Sequence, residues 1–273
     1  MKRLAFVIPA LAVLGCSTSA PGRGRLTVAV SIEPEAFLVE GIAGDLADIV
    51  VVVPPGADPH GFEPSPATMQ AVSEADLYLA IGLPFEEQWL PRIEGSALGL
   101  AVARIDSGLV RTSDGDPHVW LSPDMMRVLA ANTERQLRRM APADSAAFAD
   151  GLAGTLAVID STDARVSDIL EGCEGATFVA LHPAYAYFAR EYSLVQVALE
   201  VEGAEPTPVQ LSEIVEAARA GSSRIVIVSP GFSTGAAEAL SIELGFEPRP
   251  HDQLSHDWPG CMTGLASLIA GEE

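Results

Sequence analysis

Five histidines are the residues of this 273-residue chain best suited to chemistry: His60, His118, His182, His251 and His256. Imidazole is the commonest protein ligand for transition metals and titrates closest to neutral pH. None of the five stands in HExxH spacing, where the intervening glutamate is the base of a zinc peptidase. His60, His118 and His182 lie 58 and 64 residues apart, so each comes from a different loop. Each has a proline beside it, in Pro59-His60, Pro117-His118 and His182-Pro183. Proline fixes φ and stiffens the backbone, and a ligand held still loses less entropy when a metal binds. Three imidazoles on rigid, separate loops suit capture of a transition metal between two structural units.

The elements that must position them alternate. Apolar runs at Leu26–Ser31, Ile49–Val53, Leu77–Ile81 and Leu100–Ile105 read as buried strands. Helical patterns at Glu35–Leu46, Ser65–Ser73 and Phe85–Ile93 separate them. The alternation resumes with strands at Thr177–Leu181, Val195–Ala198, Arg224–Ser229 and Glu247–Pro250, and helices at Tyr185–Tyr192, Thr207–Ala220, Gly235–Leu244 and Pro259–Ala270. Such alternation implies parallel sheets with right-handed crossovers. The middle is different. Residues 124–140 have helical apolar spacing and a basic C-terminal end, and a second helix starts at Pro142 and can run to Leu170 despite Gly151 and Gly154.

The expected fold class is therefore α/β, with two lobes, each a mostly parallel sheet flanked by helices, joined by a long rigid inter-lobe α-helix. Residues 26–122 form the N-terminal lobe, 123–171 the inter-lobe helices and 172–273 the C-terminal lobe. All five histidines fall just after predicted strands or in the loops that follow them, where open α/β sheets bind ligands.

Charge excludes some partners. With 37 acidic and 16 basic residues the formal net charge is −21, which repels nucleic acid and anionic lipid surfaces. Hydrophobic residues make up 48% of the chain, enough for a folded core rather than a disordered polar tract.

The first residues read as targeting rather than fold. A basic start, Met1-Lys2-Arg3, precedes an apolar run from Leu4 to Leu14, the pattern of a signal peptide over residues 1–15. Val13-Leu14-Gly15-Cys16 resembles a lipobox, which makes Cys16 the expected lipidation site and residues 16–25 a tether. The expected location is the cell envelope, with a membrane lipid as partner through acylated Cys16. Cys173 and Cys261 remain in the folded part, and an exported pair can form a disulfide; neither has the CxxC spacing of a zinc-thiolate site.

Three segments around the histidines resemble the solute-binding proteins of zinc and manganese ABC importers, the ZnuA/TroA-like cluster with a long helix between its lobes. Gly56-Ala57-Asp58-Pro59-His60-Gly61-Phe62-Glu63-Pro64 is similar to that family's first ligand loop, Asp116-Pro117-His118-Val119-Trp120-Leu121-Ser122-Pro123 to its second, and His182-Pro183-Ala184-Tyr185-Ala186-Tyr187-Phe188 to its third. Glu205-Pro206-Thr207-Pro208 resembles a further segment of the second lobe. The resemblance implies a fourth ligand, an aspartate in an LDPL-like segment. Here the segment reads His251-Asp252-Gln253-Leu254, so Asp252 takes that position and His251 stands as a possible competitor or assistant. His256 reads as a surface residue. The stretch from Ser107 to Asp116 is short and lacks the histidine-rich insertion of many zinc-type relatives.

The resemblance implies a binding protein rather than an enzyme, monomeric, that delivers a divalent transition metal to an ABC importer permease. His182 stands where manganese-type members tend to carry glutamate. Three imidazoles and one carboxylate match Zn2+ better than Mn2+, which prefers oxygen. Four protein ligands leave no position for a reactive water, which weighs against a secreted zinc-dependent hydrolase. A Mn2+ or Fe2+ importer component and a metal-binding adhesin of the same fold stay open, and Cu2+ or Ni2+ is compatible with the ligand chemistry.

Overall fold

Short runs, most of them apolar, form the strands, and the turns that leave them carry the histidines. A computed structural model describes residues 24–96, 99–113, 115–200, 207–221, 224–230, 241–242 and 245–271. The expected signal peptide, Cys16, most of the expected tether, the Glu205-Pro206 segment and most of the helix expected over Gly235–Leu244 lie outside the described residues.

The first half runs β1 (Leu26–Val30), α1 (Glu33–Ala43), β2 (Ala47–Val51), α2 (Pro66–Ser73), β3 (Leu77–Ala80), α3 (Pro84–Ser96) and β4 (Ala101–Arg104). Its sheet is entirely parallel, in the order β2-β1-β3-β4. Two helices follow, α4 (Pro123–Met140) and α5 (Ser145–Ile169). The second half runs β5 (Thr177–Ala180), α6 (Ala186–Glu191), β6 (Val195–Ala198), α7 (Pro208–Ala220), β7 (Ile225–Val228), β8 (Glu247–Pro250) and α8 (Trp258–Ala270). Its parallel sheet has the order β6-β5-β7-β8, the same winding as the first.

Local chemistry starts the helices where the pattern expects. Ser65 caps α2 by accepting the Thr68 N–H, Ser122 caps α4 through Met125, and Thr207 with Gln210 forms a capping box on α7. Each of these helices has proline in its first turn. Arg138 and Arg139 close α4 beside its negative end. The expected helix from Pro142 is interrupted: Pro142–Asp144 forms a separate 3-10 turn and α5 itself spans 25 residues, about 37 Å at 1.5 Å per residue.

Helix α5 is a spine that α1, α4 and α8 all pack against. Gly151 is the point of closest approach rather than a weak point. A Cβ there would stand 2.2 Å from the Ile42 carbonyl oxygen of α1, and one on Gly41 would stand 2.5 Å from Thr155 Oγ1. The principal core is continuous across the two sheets. Val28, Val30, Leu77 and Leu79 of the first join Phe148, Ile159 and Val166 of α5, Phe178 and Ala180 of β5, and Trp258, Met262 and Leu265 of α8. A smaller core, with Val179, Leu181, Val226 and Val215, lies on the other face of the second sheet. The lobes share most of their apolar interior, which opposes large independent movement. Among the described residues no helix is long and apolar enough to cross a membrane.

Candidate metal centre

Each of the three histidines is aimed by a short, locally bonded segment. His60 follows β2 across a Pro-rich turn, and its backbone N–H donates to Asp58 Oδ1 at 2.8 Å. The same loop is seated by Phe62, whose ring meets Phe85 of α3 edge-on at 6.0 Å. His118 begins the 3-10 turn Val119–Leu121 after β4, and Asp116 holds it twice: Oδ1 accepts the His118 N–H at 2.9 Å and faces Nδ1 at 2.6 Å. His182 stands two residues past β5, with Nδ1 2.7 Å from Glu200 Oε2.

Their Nε2 atoms converge. His60 and His182 are 3.0 Å apart, His118 and His182 3.2 Å, and His60 and His118 3.3 Å. Ligands about 2.0–2.1 Å from a tetrahedral zinc lie roughly 3.3–3.4 Å from one another, so the spacing nearly fits an ion at the centre. The proton positions favour it too. Carboxylates accept and do not donate, so Nδ1 of His118 and of His182 carries the hydrogen and Nε2 carries a lone pair. Lone pairs facing each other at hydrogen-bond distance repel unless a cation lies between them. His118 and His182 are 2% and 6% exposed, and burial lowers the proton affinity of all three imidazoles, with a neighbouring imidazole adding repulsion at each (His182 at His60, His60 at His118, His118 at His182) and Asp116 and Glu200 opposing the shift. The site is held neutral, as a metal ligand set requires.

Among the described residues, this trio is the group of three or more potential ligands whose donor atoms all lie within 4.8 Å of one another. Asp252 is not a member. It follows β8, and its Oδ1 accepts the Leu254 N–H at 2.9 Å. His251 does not compete for the centre: Nδ1 faces the Tyr185 hydroxyl at 3.1 Å and Nε2 the Cys261 carbonyl at 2.9 Å, in a buried pocket. His256 is at the surface, as expected, but it is paired. Its ring nitrogens face Glu33 at 3.1 Å and Glu40 at 2.6 Å on α1. The disulfide weighed for Cys173 and Cys261 is not formed; both thiols are free, Cys261 buried on α8 and Cys173 in the turn after α5.

Sequence reasoning left two groups without a role. Asp116 was visible as part of the second motif, two residues from His118. Glu200 was not visible at all. Its signal is the strand register: Ala180 of β5 pairs with Ala198 of β6, so two residues further on His182 and Glu200 are side by side. Only knowledge that β5 and β6 are neighbours could have revealed it.

Known proteins match this chain in sequence and fold. The family model described as "Zinc-uptake complex component A periplasmic" matches residues 28–269. The manganese-binding lipoprotein MntA of Halalkalibacterium halodurans is 30% identical over 79% of this chain and 77% of its own length. The high-affinity zinc uptake system protein ZnuA of Bacillus subtilis is 25% identical over 88% and 84%. A crystal structure of ZnuA superposes with a TM-score of 0.86 at 32% identity, covering 91% of this chain and 99% of that one. The family consists of solute-binding proteins for metal import, working with ABC transporter permeases, and not of enzymes. The chain belongs to the ZnuA family of periplasmic metal-binding proteins, which capture a divalent metal for import.

Proposed function

We propose that the cargo is Zn2+, bound outside the cytoplasm by His60, His118 and His182 with Asp252 as the fourth ligand, and handed to the permease of an ABC importer. The observation that carries this reading is the convergence of three Nε2 atoms at 3.0–3.3 Å, two of them with Nδ1 held by a carboxylate. Imidazole favours zinc over manganese, which prefers oxygen. Asp252 accompanies this set as a proposal: Oδ1 of its carboxylate accepts the Leu254 N–H, which fixes the turn and leaves acceptor positions for an ion. An anchor at acylated Cys16 and a monomeric state complete the reading, with a membrane lipid and the permease as partners.

Mn2+ is the second reading, favoured by the resemblance to the manganese-binding lipoprotein. Elemental analysis of the protein purified without added metal, repeated for His182→Ala, tests the site. One zinc per chain, lost in the variant, is expected; no metal in either would refute the reading. Competition between Zn2+ and Mn2+ separates the two cargoes, with zinc expected to displace manganese.

A further inference from the structure

Tyr187 belongs to α6 of the second lobe and is 1% exposed. Its hydroxyl reaches the first lobe, where it donates to the Asp116 carbonyl oxygen at 2.8 Å and accepts the Thr112 N–H at 3.2 Å. These two backbone groups lie four residues apart on the loop leading to His118, so one phenol oxygen ties both ends of a short loop. Asp116 is also the residue that holds the His118 ring through Nδ1. A continuous path of hydrogen bonds therefore runs from the second lobe, through Tyr187 and Asp116, to the second histidine of the centre.

We propose that Tyr187 is a positioning residue for metal capture, which makes the aim of His118 depend on how the two lobes sit against each other. The inference rests on the reading of the three histidines as ligands. A Thr112–Gly115 turn of the loop is closed by one hydrogen bond of 2.9 Å, and Arg111 fastens the loop's start to the first lobe through the Gly82 and Ile81 carbonyls. Its end is fastened to the second lobe by the phenol. With both ties made, the Asp116 backbone is fixed, its carboxylate is directed at Nδ1, and His118 Nε2 points at the other two imidazoles. The shared core opposes a large movement, but a small shift of the second lobe away from the first is enough to carry the hydroxyl out of hydrogen-bond range. The Asp116 carbonyl and the Thr112 N–H then lose the partner that fixes them and turn to water instead, and the loop is free to rearrange. His118 loses its fixed direction, and the ion loses a rigid ligand. Lobe separation and metal release are thereby linked through one side chain.

A purely packing role for Tyr187 predicts something different. Its ring already lies under the Arg190 guanidinium, 5.1 Å from the centroid, and phenylalanine keeps that contact. Tyr187→Phe thus removes the two hydrogen bonds and leaves the ring. Tyr192→Phe is the control: its hydroxyl donates to Asp163 of α5 at 2.9 Å, another tie between the second lobe and the rest, but with no bond to a ligand loop.

The experiment loads each full chain with Co2+ alone and records the d–d absorption, which reports ligand geometry, and separately follows Zn2+ release into excess chelator by stopped flow. In Tyr187→Phe, zinc is expected to leave about three- to tenfold faster, below the roughly 10–100-fold of a group bonded directly to a metal-ligating histidine, and the Co2+ band is expected to shift or change intensity. Tyr192→Phe is expected to match the unaltered protein in both. Release and Co2+ spectrum unchanged in Tyr187→Phe, whatever its melting temperature, would overturn the proposal while leaving the three-histidine reading intact. An unaltered protein that binds neither Co2+ nor Zn2+ would overturn that reading itself.

Discussion

Replacing Glu200 by alanine, and separately by glutamine, probes the orientation of His182. Glu200 Oε2 lies 2.7 Å from His182 Nδ1, and the two side chains are 22% and 6% exposed. The bond selects the tautomer that leaves Nε2 free for an ion. Loss of such an outer partner weakens metal binding by roughly 10–100-fold, about 1.4–2.7 kcal/mol. Alanine removes both charge and acceptor, so its effect belongs near the upper end. Glutamine keeps an acceptor but loses the charge, and charge-assisted bonds are about twice as strong as neutral ones, so its effect belongs near tenfold. The order alanine, glutamine, unaltered protein is the signature. A second feature follows from protonation. Burial lowers the proton affinity of His182 while Glu200 raises it, so the carboxylate strengthens the proton as a competitor as well as the metal bond. The gap between the glutamine variant and the unaltered protein should therefore narrow as pH falls. Zinc titration against a chelating indicator, from pH 7.5 down to 5.5, measures both effects. Equal dissociation constants for the three proteins at pH 7.5 would falsify the orienting role of Glu200.

Zinc affinity should stay level from pH 7.5 down through the ordinary histidine range near 6.5 and fall only below it, because His60, His118 and His182 all have lowered proton affinity; titrations at closely spaced pH values check this. The same shifts mean the unfolded chain binds more protons than the folded one in acid, so the metal-free protein loses stability as pH falls through that window, seen in melting temperature. Glu35 behaves oppositely. Burial and then the neighbouring Glu86 push its carboxyl well above the usual range, and Oε1 is buried without a hydrogen-bond partner. A raised carboxyl stabilises the fold at low pH and costs stability as pH rises, so Glu35→Gln should gain on the unaltered protein in urea unfolding between pH 5 and pH 8. On α5, Gly151→Ala should lose about 1–3 kcal/mol in urea unfolding because its Cβ meets the Ile42 backbone. Gly154→Ala, with nothing within 4 Å of the added Cβ, should gain roughly 0.4–1 kcal/mol.

The strands and most helices were readable because apolar periodicity is a local property. Val195–Ala198 and Glu247–Pro250 fall where the pattern puts them, and α2, α4 and α7 begin at their capping residues. The break between Pro142–Asp144 and α5 was not readable, since proline is equally compatible with a first helical turn and with a separate 3-10 turn. His251 shows the limit for the site. Its place beside Asp252 made it a candidate ligand, but a histidine's role depends on what its two nitrogens meet, and here they meet Tyr185 and the Cys261 carbonyl.

By itself the sequence determined that His60, His118 and His182 sit on stiff loops after strands, because proline and strand periodicity act within a few residues. Only the tertiary structure decided that their Nε2 atoms meet, that Glu200 stands against the His182 ring, and that Tyr187 bonds the loop before His118. Those facts depend on which strands are neighbours and on where one lobe touches the other, and such contacts join residues far apart in the chain.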